Sequence, residues 1–495
     1  MTDRKYLIFD FGASHGRGVL ARFNGKVFSF EEIHQFKNTP AYLAGTWYWD
    51  LPNLFTEMIS GIQKAVRDHG TIDSIGLDTW GVDFGFLSRE GKLLANPIHY
   101  RDPRRHSVSD ALFSQIDRMD LFQSTGIFQL TIMSLYLYFA LKQDDAPEYR
   151  NADSFQMMPD LFHYLLTGET FNEYTIATTS LFFNQMKKEW AEDVLNTLSL
   201  RKDILNPIIY PGTKIGPLSK GLQEEYSLPP INVTAAAGHD TASAIAGIPL
   251  SSAEQEWAYI SLGTWAVAGC ETDEPVLTRE VLDSGVGNEG SADGKTFLAR
   301  NITGLWIIQE CREKWNRDSG RDIPWEEIVS AAEKAEAFAA FIDTDDPVFA
   351  QVVPDMPEVV RTWCEKREQQ VKADMGIIAR IIFESLVMKF REVLCQIEDL
   401  TGKRFELVHL FGGGTNNCLV CQWTADILNL PVTAGPAETT VMGNALMQLQ
   451  GSGEISSLKE GRSIVRASSK TEEFRPKDHA AWMQAYGDYQ KRSSI

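Results

Sequence analysis

Asp240, in the run His239-Asp240-Thr241-Ala242-Ser243-Ala244, stands where an apolar strand gives way to a helix of small residues. Asp is a common helix N-cap, and a helix N-terminus also favours its ionised form. An ionised carboxylate placed there can accept a proton from an alcohol, the role that phosphoryl transfer asks of a general base. Locally, both readings stand. Asp78-Thr79-Trp80-Gly81-Val82-Asp83 sets two more carboxylates at a strand end beside a tryptophan and a glycine, a pattern suited to a sugar. Trp47-Tyr48-Trp49-Asp50 is a second aromatic and acidic cluster that suits a sugar or the core equally. Three glycine turns suit phosphate: Gly12 to Arg17, Gly263-Thr264 and Gly412-Gly413-Gly414. A residue without Cβ lets backbone N–H groups approach phosphate oxygens, and a neighbouring hydroxyl adds a donor. The third turn should lead into a helix, whose N-terminus favours anions.

Other literal matches lack their context. Asp10-Phe11-Gly12 and Asp83-Phe84-Gly85 spell a protein-kinase tripeptide without the catalytic loop that should precede it. Gly285-x-Gly287-x-x-Gly290 spells a dinucleotide fingerprint without the expected strand and helix, and no P-loop sequence occurs. Cys418 and Cys421 form one C-x-x-C with no second pair to complete a zinc site, so two thiols on a buried helix are expected.

The elements that must carry these residues follow from periodicity. Residues 4–10 and 19–23 read as strands flanking the first glycine turn, and a third strand is expected from Lys26 to His34. Leu54, Met58, Ile62, Ala65 and Val66 recur at helical spacing up to Gly70. Strands return over 73–87, residues 108 to 205 read as mostly helical, and 231–237 form a strand ending at Asp240. The opening plan then recurs: strand 257–262, the Gly263-Thr264 turn and strand 265–269. Two such hairpins opening two halves of similar length suggest duplicated α/β domains, 1–246 and 247–495. The tail from about 455 reads as polar and peripheral, with one helix at its end.

With 47 Lys and Arg against 67 Asp and Glu, the chain carries a formal charge of −20, which disfavours nucleic acid and anionic membranes as partners. Nucleotide binding must then rely on backbone donors and Mg²⁺ rather than on a basic surface. The absence of a signal-like run and of a disulfide-type cysteine pattern fits a reducing cytoplasm.

Taken together, the chain resembles the FGGY carbohydrate kinases. The resemblance is carried by Asp10 to Arg17, Ile75 to Phe84, Tyr100-Arg101-Asp102, Met158 to Phe162 with Leu166-Thr167-Gly168, and Glu173-Tyr174-Thr175 with Ala177-Thr178-Thr179. It continues through His239 to Ala244, Ser261 to Trp265, Asn288-Glu289-Gly290, Asn301 to Trp306 and Gly412 to Gly414. It implies an α/β fold of two actin-like ATPase (ribonuclease-H-like) domains with a central catalytic cleft. It implies transfer of the ATP γ-phosphoryl group, with Mg²⁺, to the 1-hydroxyl of a ketose, L-rhamnulose. Another ketose such as L-fuculose is the alternative substrate, and a non-catalytic actin-like binder of ATP or sugar is the rival of another class. Carried over by motif, Asp240 looks like the proton acceptor and Asp10 like the residue reaching the magnesium shell through water. Ala13, Ser14, His15, Gly16, Arg17, Thr264, Gln309 and Gly413 look like ATP contacts. Gly81, His239 and Asn301 look like sugar contacts, with Asp78 and Asp83 as further substrate-side or reserve carboxylates. His15 stands where a second small hydroxyl residue is expected, and either Asn416 or Asn417 matches the family's single asparagine. The oligomeric state, monomer or homodimer, stays open.

Overall fold

The computed structural model describes residues 3–250 and 255–493, which form two compact units. The first takes the described residues up to 250, with Glu271–Leu298 and Thr439–Ser469. The second takes residues 255–270, Ala299–Glu438 and the described residues from Lys470 onward.

The first unit is built on a sheet of β1 (Arg4–Phe11), β2 (His15–Phe23), β3 (Phe28–Lys37), β4 (Ser74–Thr79), β5 (Lys214–Pro217) and β6 (Asn232–Thr234), in the order β5-β6-β4-β1-β2-β3. β1 runs antiparallel to β2 and parallel to β4; β4 runs parallel to β6, and β5 antiparallel to β6. Every residue of β4 is buried, as a central strand covered on both faces must be. Helix α1 (Leu51–His69) crosses from β3 to β4 and buries Leu54, Met58, Ile62 and Ala65, the stripe read from sequence. Asp50 caps it by accepting from the Asn53 N–H, and Gly70 at φ 74° ends it. Helix α2 (Asp240–Ala246) follows β6. Its small residues have a packing cause. A Cβ on Gly443, in the helix Thr439–Ser452, would lie 1.8 Å from the Ser243 carbonyl oxygen, so the two backbones touch.

The second unit repeats this plan with β7 (Trp257–Leu262), β8 (Trp265–Thr272), β9 (Leu407–Phe411), β10 (Val432–Ala434) and β11 (Glu472–Phe474). β7 pairs antiparallel with β8 and parallel with β9; β9 pairs parallel with β10, and β10 antiparallel with β11. The likeness of two hairpins in the sequence thus extends through five strands. Helix α3 (Trp306–Ser319) and helix α4 (Cys418–Leu428) complete the parts needed below.

Several local expectations are corrected. β3 runs to Lys37, three residues beyond the expected end, by pairing along the whole of β2. The stretch 108–205 includes strand Ser154–Met157, paired with Phe84–Leu87, along with shorter strands, so tertiary pairing overrides helical propensity there. The tail is not peripheral. β11 extends the second sheet, and Arg462 is buried, donating to the Ile245 carbonyl at 3.1 Å and to Glu271 at 2.7 Å. Of the C-x-x-C thiols, Cys421 is buried but Cys418 is exposed. No helix among the described residues is long and apolar enough to cross a membrane.

Candidate active site and nucleotide turns

Parallel register brings the ends of β1, β4 and β6 to one edge of the first sheet. Asp10 pairs in register with Asp78, the Thr79 N–H donates to the Gly238 carbonyl at 2.9 Å, and Thr79 bridges to His239. Three carboxylates, Asp10, Asp78 and Asp240, therefore come from three adjacent strand ends. Asp10 accepts from its cross-strand partner Arg17 at 2.8 and 3.0 Å. Asp78 is fully buried and accepts from Asn444 at 2.6 Å. Burial, followed by the neighbouring Asp10 and Asp240 carboxylates, pushes its pKa well above the usual range.

Asp240 is the accessible member. Its side chain is 35% exposed, and it is the first residue of α2, with His239 as the cap position. Oδ1 takes the Thr241 N–H at 2.6 Å, the Thr241 hydroxyl at 3.2 Å and His239 Nε2 at 3.5 Å; among the described residues no such contact falls on Oδ2. Burial raises its pKa, His239 pulls it back, and Asp10 raises it again; the net shift is upward. One oxygen is anchored and the other is left to accept a proton.

Asp83 has a different place from the one expected. It is fully buried, with Oδ1 on Arg105 at 2.6 Å and Oδ2 on the indole N–H groups of Trp49 and Trp80 at 2.6 and 3.0 Å. Trp49 and Trp80 pack with ring centroids 4.0 Å apart, tilted 37°, and are themselves buried. Neither tryptophan offers a face to a sugar, and neither Asp78 nor Asp83 offers an exposed oxygen. Trp80 and Asp83 bracket Gly81 and Val82 in the chain, and the Asp83 N–H donates to the Gly81 carbonyl at 2.9 Å. Val82 is held at φ 69°, a region that a β-branched residue rarely adopts, by the Thr179 hydroxyl on its N–H and the Ser134 hydroxyl on its carbonyl. A Cβ on Gly81 would meet Thr179 at 3.2 Å and His239 Nε2 at 3.4 Å, so glycine leaves the ring nitrogen uncovered.

The first glycine turn closes by the Gly12 N–H donating to the His15 carbonyl at 2.9 Å, leaving Ser14 and His15 exposed, Ala13 and Arg17 half-buried and Gly16 buried. Asn38, which sequence reasoning passed over, braces it by donating to the Gly12 carbonyl at 3.0 Å. The second turn, in the other unit, closes from the Gly263 N–H to the Trp265 carbonyl at 2.9 Å, one residue tighter, and exposes Thr264. The N–H groups of Leu305 and Trp306 reach the carbonyls of Gly263 and Thr264 at 2.8 and 3.1 Å. Thus α3, with half-buried Gln309 in its first turn, starts against this hairpin. Gly412, at φ 88°, packs behind the same turn, while a Cβ on Gly413 would meet nothing within 4 Å. The helix expected after Gly414 begins only at Cys418, after a 3₁₀ turn (Gly413–Asn416), because Asn417 caps it through Leu419 and Val420 N–H groups at 3.2 and 3.3 Å. Asn416 is exposed, and so is Asn301 on the strand Thr296–Thr303. A Cβ on Gly304 would lie 2.6 Å from the Gly263 carbonyl oxygen. Gly304→Ala should therefore displace the turn at a cost of about 1–3 kcal/mol, seen as a lowered melting temperature in thermal unfolding.

Residues 5–247 match the N-terminal domain of the FGGY family of carbohydrate kinases, and residues 258–451 match its C-terminal domain. The chain belongs to the FGGY family of carbohydrate kinases. This FGGY chain is 36% identical to a rhamnulokinase of Bacteroides thetaiotaomicron, with 98% of each chain covered. It is 34% identical to a rhamnulokinase of Enterococcus faecalis, covering 99% of this chain and 98% of that protein. Its fold is that of a Lactobacillus acidophilus gluconate kinase, at TM-score 0.82 and 16% identity over 99% of this chain and 97% of that one. It is also that of Plasmodium falciparum glycerol kinase with ADP, at TM-score 0.80 and 16% identity over 100% and 99%. It is an ATP-dependent carbohydrate kinase. Two site-shaping residues of this FGGY kinase carry no sequence signal of their role. Asn444 lies 366 residues from the Asp78 it holds. Glu173, fully buried and pushed to about 7 by burial, accepts from Thr175 at 2.6 and 2.8 Å, Ile176 at 3.2 Å and Gly238 at 2.9 Å, fixing the turn before His239.

Proposed function

We propose that this kinase transfers the γ-phosphoryl group of ATP to the 1-hydroxyl of L-rhamnulose, with Asp240 as the proton acceptor. The observation that carries the chemistry is Asp240 itself: one carboxylate oxygen anchored on the α2 N-terminus, the other without a protein partner among the described residues. The choice of sugar is supported by relatives called rhamnulokinase that match nearly the whole chain. In a loose phosphoryl-transfer transition state, the carboxylate orients the hydroxyl and takes its proton late. Gly81, His239 and Asn301 are the ketose contacts. Ala13 to Arg17, Thr264, Gln309 and Gly413 hold the nucleotide, and the exposed Asn416 serves it while Asn417 caps α4.

Mg²⁺ binds through one or two carboxylates together with substrate phosphates and keeps several waters. Among the described residues no group of three or more His, Cys, Asp or Glu is arranged to hold a metal. Carboxylates at a strand end fit an ion that arrives on ATP, and Asp10 would reach it through water. That ion supplies charge neutralisation to the phosphates. Asp78, fully buried beside Asp10, is assigned a supporting place rather than a substrate contact.

Coupled ADP-release kinetics over a ketose panel test the sugar. L-Rhamnulose should give the highest kcat/KM; a higher value for L-fuculose, or for any other ketose, overturns the assignment while leaving the kinase standing.

A further inference from the structure

Glu289 lies on the strand Gly287–Gly290, with a side chain only 9% exposed. Its Oε2 sits 3.1 Å from Nδ1 of His239, an ion-pair distance, and neither atom makes a hydrogen bond among the described residues. Two buried polar atoms that would each be costly to leave alone are thus set against one another. The other ring nitrogen, Nε2, faces Asp240 Oδ1 at 3.5 Å and the space left open by Gly81. One imidazole therefore joins Glu289 on one side to the proposed base and ketose on the other.

The main chain of His239 is fixed without Glu289. Its N–H donates to the Thr175 hydroxyl at 3.2 Å, and Gly238 before it donates to Glu173 at 2.9 Å. What Glu289 controls is the ring. Its own strand is well anchored to do so: the Gly290 N–H donates to the Thr178 hydroxyl at 2.9 Å, and the Asn288 N–H and side-chain amide both reach the Gly126 carbonyl, at 3.0 and 2.7 Å. A Cβ on Gly290 would lie 2.7 Å from the Tyr174 ring, so the strand packs tightly against the segment that carries Tyr174 and Thr178.

We propose that Glu289 is a positioning residue, holding the His239 ring by Nδ1 so that Nε2 is presented to Asp240 and to the ketose. Burial works against a charged imidazole; Glu289, then Asp240 and Glu173, outweigh it, so His239 keeps its proton above the ordinary histidine range. Nε2 then carries a hydrogen that can be donated to a sugar oxygen, and a ring turned over would withdraw it. This resembles the way a second carboxylate fixes a functional histidine in other sites, where losing the outer partner costs one to two orders of magnitude.

The proposal rests on the reading of His239 as a ketose contact, and a double-mutant cycle separates the two. Glu289→Gln keeps the size of the side chain and removes the charge; His239→Ala removes the ring. With the best ketose of the panel, H239A should lower kcat/KM by about 10²-fold, and E289Q by on the order of 10- to 100-fold, both with KM for ATP unchanged. In the H239A background, E289Q should add nothing. An E289Q enzyme matching wild type overturns the proposal while leaving His239 its role. Equal losses from E289Q with and without His239 also overturn it, since the carboxylate would then act through the fold. An H239A enzyme matching wild type overturns the reading of His239 on which the proposal rests.

Discussion

Asp240→Asn is expected to lower kcat for ketose phosphorylation by at least ~10²-fold, the usual scale for a general base, with the KM values for ketose and ATP little changed. The substitution is a sharp one here. An asparagine oxygen in the Oδ1 position still accepts the Thr241 N–H and hydroxyl, so the start of α2 keeps its geometry. What is lost is basicity at the Oδ2 position, where no competing bond is made among the described residues. The pH profile gives an independent reading. Burial raises the Asp240 pKa, and its charged form is the active one, so kcat/KM should fall as pH drops through a limb lying above the ordinary carboxylate value of about 4. Asp240→Asn should lose that limb along with the rate. If turnover were unchanged, the role could not pass to the reserve carboxylates: Asp78 and Asp83 are both fully buried.

The sequence made the strand–turn–strand frame legible because glycine turns and apolar runs are local signals. β7 lies at Trp257–Leu262, where it was expected, and α1 buries its expected stripe. Position along the chain also told correctly that Asp240 begins a helix of small residues. What those small residues do was not legible. Their cause is the backbone contact with Gly443, two hundred residues away, which no local pattern encodes. The Asp78 to Asp83 run was misread for a similar reason. A tryptophan beside acids reads as a sugar platform until Arg105 is known to close over Asp83 from a separate short helix. Arg105 had no signal, since an arginine in Asp102-Pro103-Arg104-Arg105 reads as surface charge. Glu173 and Glu289 were visible as parts of quoted motifs, yet their targets, Gly238 and His239, are supplied by tertiary folding alone.

Arg105→Met should be the most destabilising single change near the site. Arg105 and Asp83 are both wholly buried, 2.6 Å apart, and Arg105 also donates to the carbonyls of Ile132 and Met133 at 2.5 and 3.1 Å. Removing one partner of such a pair strands the other, at a cost of about 3–5 kcal/mol, set against total stabilities of about 5–15 kcal/mol. Thermal and urea unfolding should both show it. The pH dependence identifies the cause. Burial pushes the Asp83 pKa up to about 6 even with Arg105 opposing it, so without Arg105 the carboxyl must rise further. A group raised in the folded state contributes stability that is complete below its unfolded pKa and is lost as pH rises through the folded one. The R105M deficit should accordingly be largest above about pH 6 and shrink as the pH is lowered and Asp83 takes up a proton. Adding Asp83→Asn should recover part of the loss at neutral pH, because an amide oxygen in the Oδ2 position still accepts from Trp49 and Trp80 without a buried charge. A deficit that is independent of pH, or a double variant no more stable than R105M, would mean that Arg105 acts through packing and its carbonyl bonds instead. Gly81 and Val82 lie between Trp80 and Asp83 in the chain, and Val82 is already strained. Ketose binding should therefore weaken in R105M at temperatures where the rest of the first unit is still folded.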